Sequence, residues 1–345
     1  MHLLILKVNH LGDNVVFLPV VQTLRRLYPD WRLTVVTAPQ VAALYQADVA
    51  ESDLLLTKPD RFKTAWKRPW ELAGWAARLK ARRFNAALVS YDQGSVAHWL
   101  AKFTGATIRV GAAGLKIRLR DTLTQEVALA PDWSMAQWNW ETARALVARL
   151  DPANRWPTEP PAPKLDHLVS DIRPVPGRIV IHAGSKQAHT RWPLERFVAL
   201  ADRLSRQSEV IWIDTPETRG ASLSSGIARH ETRTLAELVR EIAGARLFVG
   251  NNSGPMHLAS GLGTPGVVIS GPSAYAWDPA WHASRFQILR TPGLACLPCE
   301  QGPFSPGRCI NAAEPMACMQ RWSAEAVEAA CRAALARPAG KTLSP

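Results

Sequence analysis

Cysteine is scarce in this chain and unevenly placed: five of 345 residues, none before position 296. A small fold braced by disulfides is therefore excluded, and a group of Cys in a reducing setting points to metal ligation or free thiols. No apolar run nears the ~20 residues that a bilayer span requires, and mean hydropathy is -0.09. The opening run Met1-His2-Leu3-Leu4-Ile5-Leu6-Lys7 has no basic lead, and His10, Asp13 and Asn14 follow at once. It reads as a buried first strand, not as a targeting leader. Acidic residues are few as well, 29 against 41 Lys and Arg, which leaves +12. Such an excess favours anionic partners: nucleic acid, anionic lipid or phosphorylated small molecules. Collagen-like and coiled-coil compositions are absent. What is present is an ordinary globular mixture, 47% hydrophobic and 20% charged, in a length that suits two domains of roughly 150 residues.

The hydrophobic pattern supports that division. Leu3 to Val8 reads as a strand, Val15 to Tyr28 as a helix, and Trp31 to Thr37 as a second strand, with a Gly-containing loop after the first. Strand, loop, helix, strand is a βαβ unit of a parallel sheet. Helices are expected over Val41–Gln46, Trp70–Arg82, Ser95–Thr104 and Gln137–Leu150, and strands over Ala86–Ser90 and Ile108–Val110. Between 151 and 176 seven prolines break every periodicity, as a linker does. The alternation then resumes: strands at Arg178–His182, Glu209–Asp214, Leu247–Gly250 and Gly266–Ser270, helices at Pro193–Ser205, Thr234–Gly244, Pro255–Gly261 and Ser323–Leu335. The division expected is a first domain over 1–155, a Pro-rich linker over 156–176, a second domain over 177–322 with a Cys-rich loop at 294–320, and a terminal helix and frayed tail over 323–345.

In open parallel sheets, ligands settle beyond the carboxyl ends of strands, where helix N-termini favour anions. Three loops occupy such places. After the first strand, Gly12 permits close approach and Asp13 stands near a helix start, where an N-cap role is the plain alternative. After Val180-Ile181 comes His182-Ala183-Gly184-Ser185-Lys186-Gln187-Ala188-His189-Thr190-Arg191-Trp192-Pro193, small and basic, with donors suited to a diphosphate. Neither the Walker A nor the G-x-G-x-x-G spacing is present. After Phe248-Val249 comes Gly250-Asn251-Asn252-Ser253-Gly254-Pro255-Met256-His257. Pro255 suits a first helical position, and His257 falls in the first turn beside the same anion.

Taken together, LILKVNHLGDNVVFLPVVQTLRRLYPDW, HAGSKQAHTRWPLERF, VGNNSGPMHLASGLGTPGVVISGP and ACLPC resemble glycosyltransferase family 9, the ADP-heptose lipopolysaccharide heptosyltransferases and their relatives. The likeness runs in order from about residue 3 to residue 322. It implies an α/β GT-B fold, two Rossmann-like domains facing a central cleft, with the acceptor on the first domain and the nucleotide-sugar on the second. It implies an inverting transfer, by direct displacement without a catalytic metal, of heptose or a related sugar from a nucleotide-diphosphate donor such as ADP-heptose. The acceptor class it implies is a lipopolysaccharide-core or similar anionic glycan. Asp13 matches the family's general base, with Asn9, His10 and Gly12 on the acceptor side. Ser253, Gly254 and His257 match the diphosphate loop, Ser185 a small hydroxyl position, and Glu217 an acid that reaches the ribose. Two positions depart from the pattern: Asn252 stands where an acid is usual, and Thr190 where Lys is usual. Lys186, His189 or Arg191 would then supply the cation. The departures leave open a non-catalytic sugar-nucleotide binder, and the net charge a nucleic-acid-binding protein, although no nucleic-acid module is recognisable.

Cys296-Leu297-Pro298-Cys299 has the gap of a metal knuckle, and Cys309 and Cys318 complete a four-thiolate set for structural Zn or Fe; buried thiols are the alternative. Cys331 reads as a packing residue. A basic and aromatic run, Lys58, Arg61, Lys63, Trp66, Lys67, Arg68, Trp70, Trp75, Arg78, Lys80, Arg82 and Arg83, with Lys116, Arg118 and Arg120 beyond, suits an anionic glycolipid and peripheral contact with the inner face of the cytoplasmic membrane. A solvated helix face with some buried Trp is its alternative. A cytoplasmic location follows from that reading.

Overall fold

A computed structural model describes residues 1–114, 117–170, 172–300 and 306–337. The chain divides into two compact units, Met1–His167 and Leu168–Pro345, so the division falls inside the proline-rich stretch. Its first part packs on the first unit. Trp156 is buried against Trp140, ring centroids 4.5 Å apart, and Gln22 both donates to the Lys164 carbonyl and accepts from its N–H. Proline removes regular secondary structure here but not the drive to bury an indole.

The first unit runs β1 (His2–Leu6), α1 (Leu11–Val15), α2 (Leu18–Leu27), β2 (Arg32–Thr37), β3 (Leu54–Leu56), α3 (Pro59–Lys63), α4 (Pro69–Lys80), β4 (Ala86–Val89), α5 (Ser95–Phe103), β5 (Ile108–Ala112), β6 (Gln125–Val127) and α6 (Met135–Leu150). Its six strands are parallel in the order β3-β2-β1-β4-β5-β6. The second unit runs β7 (Arg178–His182), α7 (Leu194–Leu204), β8 (Glu209–Asp214), β9 (Ala228–Glu231), α8 (Leu235–Ala243), β10 (Leu247–Asn251), α9 (Gly254–Leu262), β11 (Gly266–Ile269), β12 (Phe286–Leu289), α10 (Ala317–Gln320) and α11 (Ala324–Ala336). Its order, β12-β11-β10-β7-β8-β9, is the same pattern read from the other edge. Both sheets are Rossmann-like, and the expected α/β class holds in each unit. Strand order reverses between β1 and β4, and again between β7 and β10, which singles out the loops after those four strands.

Apolar side chains cover both faces of each sheet, as parallel strands require. Leu3 to Leu6 are wholly buried, and Trp192, Phe197 and Trp212 meet edge-to-face in the second unit. Arg203 of α7 pairs with Glu328 of α11 at 2.5 Å, fixing the last helix to the second unit.

Several expectations are corrected. The single helix expected from Val15 to Tyr28 is two, with Phe17 as N-cap of the second and Pro19 in its first turn. Pro19 has no N–H to give the carbonyl of residue 15, so the first helix stops and a second begins. The helix expected at Val41–Gln46 is a 3-10 helix, Pro39–Tyr45. Strands β3, β6, β9 and β12 went unforeseen. All four are sheet edges of three or four residues, and an edge of that length carries no periodic signal.

Candidate functional site

The first unit places its acidic candidate at its switch point. Asp13 is the third residue of α1, and His10, not Asp13, is the N-cap, which corrects the N-cap alternative. The helix is held from its next residue: buried Asn14 donates to the His10 carbonyl at 2.7 Å and accepts from Thr37 Oγ1 at 3.1 Å and Tyr45 OH at 2.7 Å. Gly12 and Asn9 are buried in the same loop and His10 is exposed. Asn9 Oδ1 is enclosed without a partner among the described residues.

Beside Asp13 lies a charge pair that sequence reasoning missed. Lys7, wholly buried, reaches Asp92 at 2.5 Å and donates to Ser90 Oγ at 3.0 Å. Gln93 Nε2 donates to Asp92 Oδ1 at 3.0 Å, and Ser90 passes a bond to Asn139 at 2.9 Å. Burial pushes the Asp13 carboxyl up to about 6; the Asp92 charge adds to the rise, while Lys7, the His10 backbone and Lys63 hold it down. For Asp92 burial also raises, but the Lys7 charge and the bonds to Lys7, Gln93 and Ser90 together prevail and the carboxyl is lowered. One carboxylate is thus fixed in its charged form beside another poised to exchange a proton, the arrangement that suits a general base. A lysine ending an apolar strand was the available signal.

The second unit brings most of its candidates together after β7 and β10. Asn251, fully buried, ties the two loops: Nδ2 donates to the Ala183 carbonyl at 2.9 Å and Oδ1 accepts from Trp192 N–H at 2.9 Å. Gly250 lies so close to β7 that a Cβ there would meet the His182 carbonyl at 2.9 Å. In the first loop Ser185 and Thr190 share a hydroxyl bond of 2.6 Å. Arg191 donates to the carbonyls of Ser185 at 2.6 Å and Lys186 at 3.1 Å, and pairs with Glu217 at 3.6 Å. Lys186 is exposed. Burial tends to raise Glu217, but Thr215, its own backbone and Arg191 prevail and lower it.

At α9, Ser253 is the N-cap, Gly254 the first helical residue and Pro255 the second, one later than expected. The Ser253 side chain makes no cap bond. Its Oγ, His257 Nδ1 and His182 Nδ1 are enclosed without partners among the described residues. Burial lowers both imidazoles to about 4, so they are neutral at pH 7. Buried polar atoms without partners are costly, and Ser253 Oγ and His257 Nδ1, both at the start of α9, suit an anion at that helix N-terminus.

Asn252, where an acid is usual, has an acid for a neighbour. Its Nδ2 donates to Ser270 Oγ at 3.1 Å and to Asp278 Oδ1 at 3.2 Å. Burial raises Asp278 while Arg290, its ion-pair partner, draws it down. An acid therefore stands beside the loop, contributed from 26 residues downstream. His189, one of the substitute cations considered, is instead buried and bonded to Glu300.

All five cysteines are free. Cys296, Cys299, Cys309 and Cys318 line one small cavity with His189 and Met316. Met316 N–H donates to Cys309 Sγ at 3.3 Å. Burial, then Cys299, Cys309 and Cys296, push Cys318 up to about 11. A Cβ on Gly271 would strike Met319 Sδ and come within 2.9 Å of Cys318 Sγ. Four soft donors on one wall are the right chemistry for zinc or iron. As placed, they do not close on one point: among the described residues no group of three or more His, Cys, Asp or Glu is close enough to hold an ion. Residues 301–305 of this loop, the tail 338–345, Lys116 and the side chains of Arg118 and Arg120 lie outside the described residues. Cys331 is buried on α11, pushed by burial up to about 12.

The basic run of the first unit is exposed along α3 and α4. Trp66 and Trp70 are 62% and 70% exposed, Lys67 lies over the Trp66 ring at 5.4 Å, and Trp75 packs on buried Phe62. No helix among the described residues is long and apolar enough to cross a membrane.

Comparison with known proteins identifies the family and the fold. Residues 74–303 match the sequence model of glycosyltransferase family 9 (heptosyltransferase). A lipooligosaccharide heptosyltransferase 2 of Campylobacter jejuni is 32% identical over 84 residues, which are 24% of this chain and 26% of that protein. Among solved structures, E. coli heptosyltransferase WaaC with ADP-2-deoxy-2-fluoro heptose superposes with a TM-score of 0.71 at 16% identity, covering 96% of this chain and 99% of that one. E. coli ADP-heptose lps heptosyltransferase II gives 0.70 at 18%, covering 97% and 98%. At those identities the structures show the fold, the α/β GT-B type.

Proposed function

Because the chain belongs to glycosyltransferase family 9, we propose that it is an inverting glycosyltransferase moving heptose from ADP-heptose to an anionic glycan of the lipopolysaccharide core. The observation that carries the donor side is the α9 N-terminus, where Ser253 Oγ and His257 Nδ1 are buried without partners among the described residues. A diphosphate offers the acceptor oxygens those groups lack. The helix dipole, Gly254, Lys186 and Arg191 complement its charge, and the same groups stabilise it as a leaving group. Ser185 adds a hydroxyl. Glu217, lowered and paired with Arg191, accepts from ribose hydroxyls, and Asn252 with Asp278 reads the sugar. On the acceptor side Asn9, His10 and Gly12 receive the glycan, and Asp13 takes the proton of the attacking hydroxyl. One displacement on the anomeric carbon inverts it. The names of the relatives above, an ADP-heptose analogue complex among them, support this donor and acceptor class.

The test is thermal stabilisation by ADP, GDP, UDP, CMP and their sugars. A ligand at about 100 times its Kd adds about 2.7 kcal/mol. A selective response to ADP and ADP-heptose is expected. Selectivity for GDP or UDP would replace the donor, and silence to every nucleotide would contradict the reading.

Two further parts belong to the same proposal. The Lys and Arg of 58–83, with exposed Trp66 and Trp70, hold the enzyme peripherally on the inner face of the cytoplasmic membrane, where an amphiphilic acceptor resides. Trp66→Ala with Trp70→Ala should cut co-sedimentation with phosphatidylglycerol vesicles several-fold; undiminished co-sedimentation would exclude those indoles. Cys296, Cys299, Cys309 and Cys318 would have to draw together from their present places to hold structural Zn or Fe, which would then order a loop without a core of its own. The reaction as proposed draws its charge stabilisation from the side chains named above.

A further inference from the structure

The four-thiol loop and the loop after β7 meet at a buried contact that the proposed chemistry leaves unused. His189 Nε2–H donates to Glu300 Oε1 at 2.9 Å, with the two side chains only 6% and 2% exposed. Glu300 directly follows Cys299. It is sewn to the segment after β11: its N–H donates to the Pro272 carbonyl at 3.0 Å, and its carbonyl accepts from Ala274 at 3.1 Å. Ser273 Oγ reaches its carboxylate at 3.4 Å. On the other side of the contact, His189 sits in the 3-10 turn Ala188–Thr190. Thr190 is bonded to Ser185, and Arg191 to Ser185, Lys186 and Glu217. The His189 side chain also lines the thiol cavity.

A carboxylate this deep is tolerated only where partners replace its lost hydration. A shift of Cys299 therefore has to be followed by His189 or break the bond, and a shift of His189 moves the residues placed around the nucleotide. We propose that Glu300 is a positioning residue for donor binding: through His189 it couples the state of the four-thiol loop to the segment 185–191. The inference rests on the donor reading above. Coupling of this kind is reciprocal. Nucleotide in the donor site shields the thiols, and modified thiols weaken the nucleotide.

The experiment uses the full chain as isolated, ADP as the ligand and an aromatic disulfide as the thiol reagent, with each Cys followed by mass spectrometry. Saturating ADP should slow labelling of Cys296, Cys299 and Cys309 by about fivefold or more. Cys331, buried on a different element, reports global opening and should be slowed less. Glu300→Ala should raise the ADP Kd and donor KM about tenfold, hold kcat at saturating donor within about twofold, and abolish the selective protection. Glu300→Gln, which keeps an acceptor for His189, should restore most of the affinity. Equal ADP affinity in wild type and Glu300→Ala, or protection no greater than that of Cys331, would overturn the inference. The wild-type protection pattern needs no variant, so a Glu300→Ala chain that fails to fold leaves the test decisive. A wild-type chain that binds no nucleotide overturns the donor reading and this inference with it. One that binds ADP without selective protection overturns this inference alone.

Discussion

Asp13→Asn should lower turnover about 10³-fold while leaving the Kd for ADP within about twofold, because positioned general-base catalysis contributes roughly 10²–10⁴. Asn preserves size and hydrogen-bonding capacity and removes the proton acceptor. The proposed nucleotide site belongs to the second unit and should lose nothing. The pH profile gives the same residue a second test. With the Asp13 carboxyl raised to about 6, the active carboxylate forms as pH rises through that value. Log kcat/KM should climb with unit slope below pH of about 6 and level off above it. Asp92→Asn removes a like charge that helps to raise Asp13 and leaves Lys7 to stabilise its carboxylate, so both effects move the acid limb to lower pH. A Asp13→Asn chain retaining a tenth of wild-type turnover would remove Asp13 from the mechanism. An acid limb unmoved by Asp92→Asn would remove the charge pair from its tuning.

Lys7→Met should cost about 3–5 kcal/mol of stability, the range for breaking a buried pair by deleting one partner. Lys7 is fully enclosed and Asp92 is 11% exposed, so the carboxylate left behind is screened little by solvent. Ser90 Oγ also loses its donor. Adding Asp92→Asn to Lys7→Met removes the stranded charge and should recover most of the loss, as a shift of the urea midpoint back toward wild type. A single-variant loss under about 1 kcal/mol would mean that water or a neighbouring group already compensates Asp92.

Much of this molecule was legible before its structure. The alternation of apolar strands and amphipathic helices marks two parallel-sheet units, because central strands are buried on both faces and their interior positions are mostly apolar. Edge strands were lost for the converse reason: Gln125–Val127 and Ala228–Glu231 are short and largely polar. The loops after β1, β7 and β10 stood out because each sets small and polar residues between an apolar strand and a helix. What the chain order hid were the partners of those loops. Asp92 meets Lys7 across 85 residues, Asp278 meets Asn252 across 26, and Glu300 meets His189 across 111. Sheet topology makes these contacts, and no local spacing encodes them. Asn252 looks like the loss of an acid until Asp278 is seen beside it.

Acceptor-dependent release of ADP from ADP-heptose, with the new glycosidic bond read by NMR, tests most directly whether sugar is transferred. The prediction is stoichiometric ADP and product with an inverted anomeric centre, in a reaction that Asp13→Asn stops. Product with retained configuration would contradict the single displacement. ADP binding without consumption of ADP-heptose across lipopolysaccharide-core acceptors would contradict catalysis itself.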